Sequence, residues 1–155
     1  MKRWIAVLIV IALILAGVAV WLLMHPPSDR DQILRLLDQA KEGVESKDVG
    51  KVMSCISEDY RDRYGWGKRE LRQLALAVLF REQGTFAVAL DPPAIEISGA
   101  RATVTLMVRI SLTPEQGGLP QELYQGPVVA HLRKEDGGWK VVSAEGWQET
   151  QDLLL

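Results

Sequence analysis

The sequence predicts an α+β fold, with three helices packed in a curved antiparallel sheet of about four strands, preceded by one transmembrane helix. Three observations support this prediction. Residues 4–24 carry no charged side chain. Between residues 28 and 83, apolar residues recur at helical spacing. From Thr85 onward, long stretches alternate between apolar and polar residues, as half-buried strands do. The 155 residues therefore divide into an anchor (1–27), a single α+β domain (28–150) and a tail (151–155).

The N-terminal segment has the length and composition of a membrane anchor. Trp4 to Met24 are 21 uncharged residues. As a helix they would span roughly 31 Å, close to the ~30 Å thickness of the hydrocarbon core. Pro26 and Pro27 then end the helix, because proline lacks an N–H and has a fixed φ. The segment predicts that the lipid bilayer is a partner of residues 4–24.

The charges that flank this segment predict its orientation. Lys2 and Arg3 precede it, and no other base occurs before Arg30. The positive-inside rule therefore places the N-terminus in the cytoplasm and the domain on the outer side, periplasmic or extracellular. We expect a single-pass protein of the cytoplasmic (inner) membrane.

A cleaved signal peptide is the alternative for the same segment. Gly17-Val18-Ala19 would serve as the small-residue cleavage site. The apolar run continues through Met24, however, and exceeds the ~7–15 residues of a signal-peptide core. We therefore expect an uncleaved anchor.

Three amphipathic helices are predicted next. The first covers residues 28–47, with Ser28 as N-cap and Asp31 placed as in a capping box. Asp48 is predicted to cap a short second helix, and a third helix covers about residues 68–83. Their apolar faces are Ile33, Leu36, Leu37, Ala40 and Val44 in the first, Val49, Val52, Met53 and Ile56 in the second, and Leu71, Leu74, Ala75, Val78 and Leu79 in the third.

Alternating residues predict the strands that follow the third helix. Sequential strands with short connections imply an antiparallel sheet. Glu135-Asp136-Gly137-Gly138 predicts the turn of the last hairpin. The predicted strands cover residues 85–90 and, after a break at Pro92 and Pro93, 94–97, then 101–112, 123–134 and 139–148. A long curved sheet can wrap the helices as a cone, and the open end of a cone leaves a pocket.

Composition argues against several classes of function. The formal net charge is −2, and the part beyond the apolar segment is more acidic still, because Lys2 and Arg3 precede it. Such a domain is a poor nucleic-acid binder. Cys55 is the only cysteine, so no intramolecular disulfide forms, and its apolar surroundings predict a buried hydrophobe. No Cys/His set has metal-ligand spacing, so we expect neither a metal nor a cofactor.

Four short segments together resemble the nuclear transport factor 2-like (NTF2-like, SnoaL-like) superfamily. They are Asp48–Val52, the loop Asp59–Asp62, Gly67–Leu71 and Gly138–Val142. The resemblance covers about residues 30–148 and implies a cone of three helices and a bent sheet. It also implies a small apolar ligand in the cone and a homodimer through the outer sheet face. Many bacterial members carry an N-terminal membrane segment, which implies a bacterial origin.

The superfamily includes ketosteroid isomerase and dehydratases as well as non-catalytic binding and assembly modules. The isomerases have an Asp base in the loop after the second helix, near Asp62 here. They also have a Tyr on the first helix and a protonated acid on a later strand. Residues 28–47 contain no Tyr, and residues 126–131 contain no acid. This departure removes the oxyanion half of the site, which is usually the larger catalytic contribution.

The sequence therefore predicts a non-catalytic binding or assembly module, with no catalytic residues. The alternative is an isomerase- or hydrolase-type enzyme that uses Asp62 or His131 as general base. A third option is a subunit of an envelope complex that docks through its transmembrane helix. Discriminating the first two requires knowing which side chains line the cone.

Four residues are predicted to line a pocket, namely Tyr60, Asp62, Tyr64 and His131. The competing interpretation is that Asp59 and Asp62 form exposed ion pairs with neighbouring arginines or with the start of the third helix. His131 belongs to the polar face of its strand, or to the interior of the cone if the faces are reversed. Trp139 and Trp147 are predicted to pack, and Met107 and Arg109 to lie at a homodimer interface.

Overall fold

The computed structural model of the protein describes residues 2–24 and 27–146. Four helices precede five strands, which confirms the predicted α+β class. The helices are α1 (Lys2–Met24), α2 (Asp29–Glu45), α3 (Val49–Ser54) and α4 (Lys68–Arg81). The strands are β1 (Gly84–Leu90), β2 (Ala94–Ser98), β3 (Arg101–Pro114), β4 (Gln121–Glu135) and β5 (Gly138–Glu145).

The predicted membrane anchor falls on α1. Within the two described ranges, no helix meets the length and hydropathy that crossing a membrane requires. The transmembrane helix therefore stays a prediction.

The helices begin where the predicted caps lie. The Ser28 hydroxyl accepts a hydrogen bond from the Asp31 N–H at 3.1 Å, and the Asp48 carboxylate accepts one from the Lys51 N–H at 2.9 Å. Each bond satisfies an N–H that has no partner within its helix. These bonds confirm both predicted caps. The caps could be predicted from the sequence because a capping residue bonds to an N–H only a few positions away.

The sheet has five strands rather than about four. Its order is β1-β3-β4-β5, and β2 also pairs with β3, all antiparallel. The stretch predicted as one interrupted strand is two strands, because Pro92 and Pro93 have no N–H to continue the ladder. β1 pairs with the second half of β3, and β2 pairs with the first half. β5 ends at Glu145, and Gly146 lies beyond it, although the predicted strand runs to residue 148. Trp147 and the rest of the chain lie outside the described residues.

Apolar side chains fill the interior between the helices and the sheet. Ile33 and Leu36 of α2 pack with Cys55 and with inward-facing residues of the strands, namely Ala102, Val104, Leu106, Ala130, Leu132 and Trp139. A second cluster joins α3 and α4 to the other end of the sheet through Val49, Met53, Leu79, Phe86 and Leu112. The predicted cone is therefore occupied by its own core at both ends.

Asp29 fixes the start of α2 to the β4–β5 hairpin. Its Oδ1 accepts hydrogen bonds from the Lys134 ammonium at 2.6 Å and from the Trp139 indole N–H at 3.1 Å. Lys134 first, and then Trp139, hold the pKa of this carboxyl below its ordinary value. The Lys134 backbone N–H also donates to the Ala100 carbonyl at 2.8 Å. Trp139 is 3% exposed, as its predicted packing role requires.

Truncation of Ile33 tests the importance of the filled interior. Ile33 is fully buried, whereas Leu76 on α4 is 42% exposed. We expect Ile33→Ala to lower the free energy of unfolding by roughly 2–5 kcal/mol, because it removes buried methyl groups and leaves a cavity. Leu76→Ala should change it by less than about 0.5 kcal/mol. Urea denaturation measures both, and equal losses would contradict the assignment of the core.

Candidate functional site

The segment that follows α3 runs beside β5 and covers its edge. The Ser57 N–H donates to the Val141 carbonyl at 2.9 Å, and the Val141 N–H donates to the Cys55 carbonyl at 2.9 Å. The Arg61 N–H donates to the Val142 carbonyl at 3.0 Å. Cys55 is 1% exposed, and burial raises the pKa of its thiol. A buried thiol of raised pKa is a packing residue rather than a nucleophile.

Asp62 organises the turn that leads into α4. Its Oδ1 accepts hydrogen bonds from the Tyr64 and Trp66 N–H groups, both at 2.9 Å. Its own N–H donates to the Trp66 carbonyl at 3.2 Å, and Gly65 supplies the left-handed residue of the turn with φ +82°. An aspartate that caps backbone N–H groups in this way stabilises a turn. Asp62 is 8% exposed, and its Oδ1 faces the backbone N–H groups of its own loop.

The two tyrosines of this loop lie in different environments. Tyr60 is 1% exposed, so it belongs to the core. Tyr64 is 58% exposed, and its hydroxyl accepts a hydrogen bond from Arg63 Nη2 at 2.9 Å. The Arg63 guanidinium also lies 5.0 Å from the Tyr64 ring centroid, within cation–π range. The predicted pocket residues of the loop are therefore not gathered around one cavity.

His131 faces the outer side of the sheet, away from the helices. Its cross-strand partner is Thr103, whose hydroxyl oxygen lies 3.3 Å from His131 Nδ1. Their chain neighbours Ala102 and Leu132 face the core, so alternation places this pair on the opposite face. This settles the face that the sequence left open for His131.

A groove of about 570 Å³ crosses the outer face at His131. It runs from β2 over β3 and β4 to β5. The residues that line it include Glu96, Ser98, Arg101, Thr103, His131, Arg133 and Val142. His131 is the predicted site residue that lines this groove, whereas Tyr60, Asp62 and Tyr64 belong to the loop described above.

Arg133 stands at one end of the groove in a fixed network. Its Nη2 donates to Asp59 Oδ2 and to Glu135 Oε1, both at 2.7 Å. The Ser57 hydroxyl, in a residue 2% exposed, donates to the same Glu135 oxygen at 2.6 Å. Ser57 and then Arg133 lower the pKa of Glu135, and the two carboxylates raise the pKa of Arg133.

This network corrects one alternative from the sequence. Asp59 pairs with Arg133, 74 residues away, and not with Arg61 or Arg63. No local signal could have found that partner, because only the pairing of the Cys55–Arg61 segment with β5 brings it close. Ser57 and Glu135 were missed for the same reason. Asp62, in contrast, had a local signal in the glycine three residues on.

The donors of the site are guanidinium, hydroxyl and imidazole groups. Such groups bind oxyanions of carboxylates or phosphates through charge-assisted hydrogen bonds. Within residues 2–24 and 27–146, no three His, Cys, Asp or Glu side chains are arranged to hold a metal ion.

The fold and the site define an α+β domain of the NTF2-like type. A family model described as a SnoaL-like domain matches residues 27–145, and the chain belongs to that family. This confirms the resemblance seen in the sequence. No curated protein matches the chain.

Solved structures resemble this fold at low sequence identity. A candidate scytalone dehydratase from Novosphingobium aromaticivorans is 16% identical with a TM-score of 0.66, over 75% of this chain and 80% of that one. A candidate dehydratase of the NTF2-like family from Streptomyces avermitilis is 17% identical with a TM-score of 0.65, over 77% and 95%. A candidate aromatic ring hydroxylase from Novosphingobium aromaticivorans is 19% identical with a TM-score of 0.64, over 79% and 95%. At these identities the likeness shows the fold alone.

The Ser57–Glu135 bond predicts a pH dependence of stability. The pKa of Glu135 is lowered from 4.5 in the folded protein. A lowered carboxyl pKa contributes stability above the unfolded value, and that contribution is lost as the pH falls through the folded value. Ser57→Ala removes the hydrogen bond that contributes most to the lowered pKa of Glu135. We therefore expect this variant to have a lower Tm than the wild type at neutral pH, and its Tm to fall less than that of the wild type as the pH is lowered.

Thermal melts between neutral and acidic pH measure this effect. Ser98→Ala is the matched control, because Ser98 is an exposed serine on the far side of the groove. Its profile should follow that of the wild type. Parallel profiles for Ser57→Ala and the wild type would show that Glu135 does not depend on Ser57.

Proposed function

We propose that this chain is a membrane-anchored NTF2-like domain that acts as a non-catalytic binding or assembly module on the outer side of the membrane. The observation that carries the non-catalytic role is the filled interior of the cone. An active site for a small apolar substrate is usually a concave cavity that buries most of the substrate. Here, core side chains of the helices and strands occupy that space, including Ile33, Val104 and Leu132, each at most 1% exposed.

The environment of Asp62 supports the same proposal. A general base must lie within hydrogen-bond distance of the proton that it removes. Asp62 Oδ1 accepts hydrogen bonds from two backbone N–H groups of its own turn, so this oxygen acts as a structural cap. Asp62 is therefore better suited to holding the loop than to transferring protons.

The anchor part of the proposal rests on the composition of the N-terminal segment. Trp4–Met24 is uncharged, and Lys2 and Arg3 are the only charges before it. In α1, the exposed large apolar side chains include Leu13 at 67% and Leu15 at 64%. An apolar surface of this extent is unfavourable in water, and insertion of the segment in a bilayer would remove it from water.

Arginine substitutions test the anchor. We expect the wild-type chain to stay with membranes during alkaline extraction, and the double variant Leu13→Arg, Ile14→Arg to be released. Each arginine at the centre of a span costs about 2.5–3.5 kcal/mol on insertion scales. The control is Leu119→Arg, because Leu119 is 86% exposed in the loop between β3 and β4. Release of the wild type, or a mature N-terminus at Val20, would contradict the anchor.

An isomerase- or hydrolase-type enzyme is the second candidate function. The names of two similar structures, a candidate dehydratase and a candidate aromatic ring hydroxylase, favour an enzyme in general, and a histidine in a groove would suit a general base. In this case Asp62 or His131 would be the general base.

Two substitutions of Asp62 separate the candidates. Asp62→Ala removes the acceptor of two partly buried N–H groups and should lower the free energy of unfolding by roughly 1–3 kcal/mol. Asp62→Asn keeps an acceptor oxygen and should lose much less. Urea denaturation measures both. The second measurement is turnover of β,γ-unsaturated ketones. If the wild type isomerises them, and Asp62→Asn abolishes turnover at unchanged stability, the protein is an enzyme and the proposal of a non-catalytic module is wrong.

A further inference from the structure

The groove on the outer face is built from two rows of cross-strand neighbours. Ser98, Arg101 and Arg133 form the first row across β2, β3 and β4. Glu96, Thr103 and His131 form the second row, one step along the same strands. The first row therefore places two guanidinium-bearing residues directly opposite each other on one face.

Like charges directly opposite in a sheet destabilise the pair of strands. The Arg133 guanidinium is held by Asp59, in the segment after α3, and by Glu135, at the end of β4. For Arg101, in contrast, no carboxylate of the described residues lies within 4.0 Å. Arg133 is therefore already compensated by two carboxylates, and an anion above the first row would pair with Arg101.

The second row adds further hydrogen-bonding groups beside this cation. The Thr103 hydroxyl oxygen lies 3.3 Å from His131 Nδ1, and in the tautomer in which the hydroxyl donates this bond, Nε2 carries a proton and is a donor. Ser98 supplies a hydroxyl from β2, and Val142 supplies an apolar wall from β5. A volume of about 570 Å³ is within the range of small-molecule sites and exceeds the size of a bare ion.

We propose that this groove binds the carboxylate or phosphate group of a small molecule, with Arg101 as the principal cation and Ser98 and His131 as further donors. The proposal deepens the proposed binding role and rests on it. It assigns that role to the outer face of the sheet and not to the cone. Glu96 at the rim of the groove carries a negative charge, as the ligand does, and therefore weakens the binding of anions.

The test titrates the full chain, in a neutral detergent, with two probes by calorimetry. Inorganic phosphate represents a free anion, and dihexanoyl phosphatidylglycerol represents a lipid headgroup. Binding of either is expected, and it should weaken with added salt. Similar affinities would identify a free anion as the ligand, and much tighter binding of the lipid would identify a headgroup.

Three substitutions locate the binding in the groove. Arg101→Gln removes one charge-assisted bond and should weaken affinity roughly tenfold. Glu96→Gln removes the like charge and should tighten it. The matched control is Arg109→Gln, since Arg109 is an exposed arginine of the same strand and face, beside Glu122 at 3.7 Å. It should bind as the wild type does, and melting curves verify that each variant folds.

Three outcomes would overturn the proposal. They are no binding of either probe, equal weakening by Arg101→Gln and Arg109→Gln, or weaker binding by Glu96→Gln, which would indicate a cationic ligand. None of them affects the proposed anchor or the role of Asp62, which membrane extraction and unfolding measure independently.

Discussion

Three backbone hydrogen bonds tie the segment from Cys55 to Arg61 to β5, and both the loop of Asp62 and the outer groove depend on them. Without this pairing, β5 would be an exposed sheet edge. The same bonds bring Ser57 beside Glu135 on β4, and the Ser57 hydroxyl donates a hydrogen bond to the Glu135 carboxylate. Glu135 and Asp59 then hold Arg133 at the end of the groove. One short stretch of main chain thus connects the helical layer, the turn and the polar network.

The two faces of the sheet carry different chemistry although the same strands supply both. Leu132 is 1% exposed in the core, and its neighbours His131 and Arg133 line the groove. Because successive side chains point to opposite faces, polar residues are placed on the outside without disturbing the inside. Packing of the inner face therefore stabilises the domain, and the residues of the outer face can be substituted without altering that packing. A filled cone and a polar outer groove are for this reason compatible in one small domain.

The features that the sequence predicted correctly are local. The caps at Ser28 and Asp48, the helical faces and the alternation of β3 each depend on residues within a few positions. The division of the first predicted strand into β1 and β2 was missed, because it depends on which half of β3 each one pairs with. The groove was missed because its network joins Asp59 to Arg133 across 74 residues. Periodicity assigns a residue to one of two faces but does not say which face the helices cover.

The contacts of Asp29 relate the groove to the N-terminal segment. Only four residues, 25–28, separate α1 from α2, so the end of α1 and the start of α2 are at most ~18 Å apart. Asp29 is bonded to Lys134, whose own N–H is bonded to Ala100. Lys134 and Ala100 adjoin Arg133 and Arg101 in the chain, so the first row of the groove lies at the end of the domain where α2 begins. If α1 is inserted in a bilayer, this short connection keeps the row near the headgroups. Lipid phosphates would then reach the groove as readily as soluble anions, whereas a groove at the opposite end would meet soluble anions alone.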